Sequence, residues 1–417
     1  VNADEVGPDR ASGADPAHDG PGHRHRGAVT WLCYGMLGFF SYFINSLGPI
    51  LSFLRADLDL SYTVTSFHSS AFAIGMIVAG VSANVLATTL GRHMVFWLGG
   101  SGMSLGTVIL VAGRHPAMTV AGALLMGYLG SLLAVMISAI LADEHGSRRA
   151  AMLMEANVVA SACGMVAPIL IGGAAATGFG WQVALLVPVA SFAVAGTRFR
   201  SMAFPVPVPP AGHGTTVAGD GLPGPYWAFW AVLLLIVAVE FATLFWAAAF
   251  LDDVVGLSRA TSAAAVSLFL GGMLVGRFAG SRLMLAGRRG GPLLLASLAT
   301  TSAAFGLYWS APSVPLTLVG LTVMGVGTAN LYPLTLSLAI EAAGGRTDLA
   351  ATRASLAAGV AIVAASIVLG RLADLAGIAA AYGVVAVLLA GALVAALFAL
   401  HLSASGAHPA PGVATAP

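Results

Sequence analysis

A single carboxyl group, Glu240, interrupts an otherwise uncharged run from Gly221 to Leu251, and an amide, Asn45, sits in a similar apolar run half a chain earlier. An ionisable side chain at a bilayer centre costs roughly 2.5 kcal/mol or more, so such a group is a functional candidate by default. In a medium of low dielectric the neutral acid is the cheaper state, whereas a nearby cation favours the carboxylate. Proton uptake and substrate binding can therefore compete or cooperate at Glu240, which makes it the expected coupling group and a substrate-cavity residue. Ser41 lies one helical turn before Asn45 on the same face, and both can offer hydrogen bonds to a polar solute. Further along, Asn330, Leu334 and Ser337 share one face of a segment while Tyr332 and Thr335 share another, and the pattern alone does not choose which face meets substrate. Asn330, Tyr332 and Ser337 are accordingly all candidates for the cavity. Pro333 between them loosens the helix and is expected to act as a hinge.

These groups need a membrane around them. The chain is 58% hydrophobic and only 8% charged, against roughly 25% charged residues in soluble domains. At about 20 residues per crossing, with Gly/Pro punctuation such as Gly178-Phe179-Gly180 and Pro312-Ser313-Val314-Pro315, the apolar runs predict an all-α membrane protein of twelve spans. The spans are placed near 29–53, 62–87, 93–112, 116–141, 150–175, 180–197, 226–250, 260–285, 291–310, 314–340, 353–373 and 378–401. All 18 basic residues are arginine. Arg92, Arg148, Arg149, Arg198, Arg200, Arg282, Arg288, Arg289, Arg346 and Arg353 fall on the side shared by the termini, and only Arg55, Arg114 and Arg259 on the other. Positive charge accumulates inside, so both termini are expected in the cytoplasm and the protein in the cell membrane.

A shift of about 197 residues superposes the two halves: Phe53-Leu54 on Phe250-Leu251, Leu60-Ser61 on Leu257-Ser258, Gly75-Met76 on Gly272-Met273. With one more residue of shift, Met126-Gly127 meets Met324-Gly325. Internal repeats of this kind belong to transporters. The expected organisation is an N-terminal tail over 1–27, a six-helix bundle over 28–197, a Pro-rich cytoplasmic linker over 198–225, a second six-helix bundle over 226–402 and a C-terminal tail over 403–417. Small residues four apart, Gly75, Ala79, Ala83 and Gly272, Gly276, Gly280, read as helix-packing stripes. Both tails are expected to be disordered, and His18, His23 and His25 in the first read as solvated.

Other classes are poorly served. A net charge of +1 gives no general attraction to nucleic acid. No phosphate-binding loop, helical metal-ligand spacing or nucleophile–base set appears, so neither an enzyme nor a metal or organic cofactor is expected, and the proton gradient is the expected energy source. His68 and the cysteines Cys33 and Cys163 read as packing residues within spans. Arg371 and Asp374 are three apart and can pair on one helix surface, and Asp143-Glu144 with Arg148-Arg149 read as a solvated charge cluster.

From about residue 28 to 402 the chain resembles the major facilitator superfamily. The resemblance is carried by Gly48-Pro49-Ile50-Leu51 with Phe53-Leu54-Arg55, by Gly91-Arg92-His93, by Gly276-Arg277 with Arg282-Leu283, and by Gly370-Arg371-Leu372-Ala373-Asp374. Thr88 stands where the loop 2–3 signature has aspartate. The stretch Glu240 to Trp246 is similar to fucose-permease-like branches, and Gly164, Ala167-Pro168 and Gly172-Gly173 partly resemble the helix 5 signature of drug–proton antiporters. The resemblance implies alternating access through a cavity lined by helices 1, 4, 7 and 10, in a protein acting as a monomer on a small-molecule substrate. It also implies that helices 5 and 8 face each other across the halves, where Glu155 and Arg277 would form a gating ion pair. The competing role for Arg277 is to bind an anionic substrate. The expected function is a proton-coupled secondary transporter of a small organic solute; the alternatives are drug or metabolite efflux by proton antiport, and a sensor or channel without coupled flux.

Overall fold

The computed structural model describes residues 27–205, 221–311 and 313–406. The expectations for the two tails and for the prolines of the linker, Pro207, Pro209 and Pro210, fall outside them. Among the described residues the chain is helical throughout, with no strand. The first half supplies α1 (Ala28–Asp57), α2 (Tyr62–Leu90), α3 (Arg92–Ala112), α4 (Pro116–His145), α5 (Arg149–Ala176) and α6 (Trp181–Phe199). The second supplies α7 (Gly224–Asp253), α8 (Arg259–Leu285), α9 (Gly290–Ser310), α10 (Val314–Thr328), α11 (Leu331–Glu341), α12 (Thr347–Ala376), α13 (Ile378–Ala381) and α14 (Gly383–Gly406).

By length and composition 11 stretches of described chain can cross a membrane. One of them, Pro116–Ala176, is 61 residues long and is divided by a 3-10 turn at Gly146–Arg148 into α4 and α5. Helix is what an apolar solvent demands, because hydrocarbon offers no partner to backbone N–H and C=O groups. Hydroxyls inside the helices obey the same rule: Thr107, Thr243 and Thr328 each donate to the carbonyl four residues back, at 2.9, 2.9 and 2.8 Å. Large apolar side chains such as Val81, Val194, Val387 and Leu397 stand exposed on the outside, as suits a lipid-facing wall.

The sequence repeat reappears as packing. Ser61 and Ser258 occupy matching positions and cap α2 and α8, each accepting an N–H three residues on at 3.2 Å. Gly127 of α4 lies against the Phe72 carbonyl of α2, and Gly325 of α10 against the matching Phe269 carbonyl of α8. Gly75 and Gly272 meet the carbonyls of Leu124 and Thr322, which are also equivalent. The small-residue stripes thus hold each half together rather than forming a sliding surface between halves. Between the halves, α1 packs on α7, α2 on α12 and α5 on α8.

A leucine at 325 is therefore expected to lower the thermal unfolding midpoint of the purified protein. Its Cβ would enter the Phe269 backbone, and overpacking of this sort costs roughly 1–3 kcal/mol. Gly306→Ala, where a Cβ meets nothing within 4 Å, should leave the midpoint in place. Equal behaviour of the two variants would mean that α8 and α10 can separate freely.

Span 10 does break near Pro333. Pro333 has no N–H to offer the carbonyl of residue 329 and its ring crowds that carbonyl, which weakens the helix at this point. Ala329 and Asn330 form a turn between α10 and α11 whose dihedrals stay right-handed, so the span is interrupted in its hydrogen bonding without losing its direction of winding. The Asn330 side-chain amide fills the gap by donating to the Gly276 carbonyl of α8 at 2.7 Å.

Candidate functional site

A cavity of about 240 Å³ lies between the halves. Helical spacing explains its wall. From α1 come Leu37, Phe40, Ser41, Ile44 and Asn45, one face with period three and four; from α5 come Asn157, Ala160 and Ser161; from α7, Glu240, Phe241 and Leu244; from α8, Leu270, Met273 and Arg277. One turn beyond Asn45, Gly48 lets α1 close directly onto the Leu244 and Phe245 backbone of α7, which ends the cavity on that side.

Within the cavity Asn45 donates its amide to the Ser41 carbonyl at 2.7 Å and lies 3.3 Å from the Ser41 hydroxyl. Gly164 of α5 sits against both side chains, where any Cβ would displace them. Glu240 is half-buried, and no hydrogen bond to its carboxyl group forms among the described residues. Arg277 stands within electrostatic reach of it and donates from Nη1 to the Ser161 hydroxyl at 3.1 Å.

At the Arg55 end of the molecule the halves are tied together. The Asp253 carboxylate accepts from Arg55 Nη2 and from the Tyr62 hydroxyl, both at 2.5 Å, and the Arg55 guanidinium lies 4.3 Å from the Tyr62 ring centre. The Asp374 carboxylate accepts the backbone N–H groups of Tyr62 and Thr63, both at 2.8 Å. It thereby satisfies two orphan donors at the positive end of the α2 dipole. Gly370 one turn earlier on α12 allows the approach, lying against Tyr62 and Ser66.

Several sequence-predicted residues meet in the cavity: Ser41, Asn45, Glu240 and Arg277. Asn330, Tyr332 and Ser337 are not part of its wall. Asn330 is committed to the helix break, Ser337 is exposed elsewhere, and Tyr332 lies within electrostatic reach of Glu240 without lining the cavity. The lining helices are 1, 5, 7 and 8 rather than 1, 4, 7 and 10, because α1 presents its Ser41–Asn45 face to α5. The gating pair is not made in this conformation: Glu155 accepts from the Tyr34 hydroxyl at 2.9 Å, while Arg277 reaches Ser161 instead. Arg371 and Asp374 do not pair either, since the amides of α2 take both carboxylate oxygens. Asp143 is not simply solvated but forms an ion pair with Arg92. His68 is buried, bonded through Nε2 to Thr119 at 2.7 Å and through Nδ1 to the Thr65 carbonyl at 3.1 Å. Asn157 and Ser161 also line the wall, and their sequence signal is two polar residues four apart in a largely apolar run.

Comparison with known proteins gives the arrangement a context. A sequence profile described as Major Facilitator Superfamily matches residues 30–313. A search of curated proteins found no match to the sequence. Among solved structures the fold is similar to the nucleoside transporter NupG, with TM-score 0.70, 13% identity, and coverage of 90% of this chain and 99% of that one. It is also similar to a bacterial homologue of the human lysosomal transporter Spinster, captured inward-facing and occupied, with TM-score 0.69, 14% identity and 92% and 98% coverage. The peptide transporter POT in complex with sulfate gives TM-score 0.68, 15% identity and 92% and 96% coverage.

Proposed function

Because the chain belongs to the Major Facilitator Superfamily and holds a lone carboxyl group in a cavity between its halves, we propose that it is a proton-coupled secondary transporter of a small organic solute, working by alternating access. The observation that carries this reading is Glu240: a half-buried acid without a hydrogen-bond partner among the described residues, facing a cavity that is closed at one end. An acid so placed can take a proton or a solute group from whichever side the cavity faces.

In this reading twelve spans form two six-helix units, 28–197 and 226–402, joined by 198–225, with both termini in the cytoplasm of the cell membrane. The arginine bias then puts the Arg55 end outside, so the conformation described is closed outward and open inward. The ties of Asp253 and Asp374 form the outer closure. Glu155 and Arg277, apart here, would approach when the inner ends close, giving each conformation its own contacts. The unit of function is a monomer in the bilayer.

The test uses proteoliposomes with an imposed pH gradient and an internal pH dye, screened with sugars, nucleosides, peptides, amino acids and cationic drugs. Solute-induced proton movement is the expected result. A solute that is carried at the same rate whatever the pH gradient would refute the coupling, and one that passes without saturating would point to a channel.

A further inference from the structure

The cavity wall carries an acid and a guanidinium that do not bond each other. Glu240 on α7 and Arg277 on α8 both line it, yet they form no ion pair, and Arg277 spends a donor on the neutral hydroxyl of Ser161 at 3.1 Å. Around them stand the amides of Asn45 and Asn157, with Phe40 and Phe241 as apolar surface. Each class of solute leaves a different debt in such a space. A cation answers Glu240 and leaves Arg277 without a counter-charge once water is displaced; an anion does the reverse; an uncharged sugar answers neither. An unpaired charge is unfavourable once water is displaced; an anion avoids this only by leaving a proton on Glu240, whereas a solute with both an ammonium and a carboxylate gives each group its counter-charge. At about 240 Å³ the cavity is also below the roughly 300–1,000 Å³ of sites that hold drug-sized ligands.

Resting on the transporter reading above, we infer that the solute is a small zwitterion with an apolar body, of amino-acid type, its ammonium held by Glu240 and its carboxylate by Arg277 in the conformation in which Arg277 is not paired with Glu155. Since the ammonium and the coupling proton want the same carboxylate, binding releases a proton from Glu240. That competition makes the cycle an exchange of solute for proton.

The test compares leucine, phenylalanine and 4-aminobutyrate with their monopolar counterparts, such as 4-methylpentanoate and isopentylamine for leucine, by equilibrium binding to the full chain in lipid nanodiscs. At least one zwitterion should bind roughly tenfold or more tightly than either counterpart, the size of effect expected from a hydrogen bond to a charged group. Glu240→Gln should erase the advantage over the carboxylate-only compound, and Arg277→Gln the advantage over the amine. Glu240→Asp and Arg277→Lys, which keep the charges, should retain both preferences and show that the cavity still folds. Equal binding of a zwitterion and its counterpart, or binding by none of the zwitterions, overturns the inference. A protein that moves protons with a sugar or a simple amine sinks this inference and leaves the transporter reading standing. A zwitterion that binds with both preferences but drives no proton movement keeps the zwitterion assignment and overturns the solute-for-proton exchange together with the proton coupling of the reading above.

Discussion

Glutamine at position 240 is expected to cut solute-coupled proton movement by about 100-fold or more, equivalent to about 2.7 kcal/mol, while solute-for-solute exchange at saturating concentration continues. The amide fills the same space as the carboxyl group and keeps its place between Phe241 and Leu244 on the cavity wall, but it cannot carry a proton at any physiological pH. Net accumulation requires the protonated and deprotonated forms to be presented on opposite sides of the membrane; counterflow does not. The measurement is therefore a pair of assays on one preparation of proteoliposomes: dye-reported proton flux and isotopic counterflow. The pH dependence of net transport should flatten in the variant. If net, gradient-driven transport survives Glu240→Gln, the coupling proton resides elsewhere, and Tyr332, within electrostatic reach of Glu240, becomes the first group to replace.

Removing the Asp253 carboxylate should shift the resting population toward the state open at the Arg55 end by roughly 5–30-fold. Asp253 holds two partners from the other half, Arg55 and Tyr62, at 2.5 Å each. The Arg55 and Asp253 side chains are 22% and 29% exposed, so water screens the pair, and each contact is discounted to at most about 1 kcal/mol. Two such contacts give about 1–2 kcal/mol, which is the stated shift in an equilibrium constant. Spin labels at Ala56 and Val254, exposed positions on α1 and just beyond α7, report it as a longer-distance population in Asp253→Ala. Arg55→Asp combined with Asp253→Arg should recover most of the short-distance population. An unchanged distance distribution in Asp253→Ala would mean that Asp374 and the Gly48 contact close this end without help.

How legible this was beforehand varies with how local the determining physics is. The helices and the internal repeat are local or periodic properties, and they could be read to within a few residues. That Ser41 and Asn45 share a face with period four was readable too, and the cavity shows that face turned toward Glu240. What a helix face meets is a different matter. Asp374 stands three residues from a ready partner in Arg371, yet it is drawn to the N-terminus of α2, more than 300 residues away in sequence, because two unpaired N–H groups at a helix dipole outbid one flexible arginine. Asn330 looked like a cavity amide until Pro333 broke the helix beside it and left the Gly276 carbonyl within reach. Arg277 is expected at Glu155 from the resemblance, but in this structure the acceptor it reaches is Ser161. In each case sequence identified a group that needs a partner and could not identify which partner the packing would supply.

The break at Asn330 also divides span 10 by stiffness. Above it, α10 is pinned at short intervals, with Gly320 against the backbone of Tyr308, Gly325 against Phe269 and Gly327 against Thr301. Below it, α11 contains no glycine at all. Its 11 residues make a lever of about 16 Å at 1.5 Å per residue. The joint between them is braced from the side by the Asn330 amide, which donates to the Gly276 carbonyl of α8, so the glycine-rich and glycine-free halves of the span meet at one tethered turn.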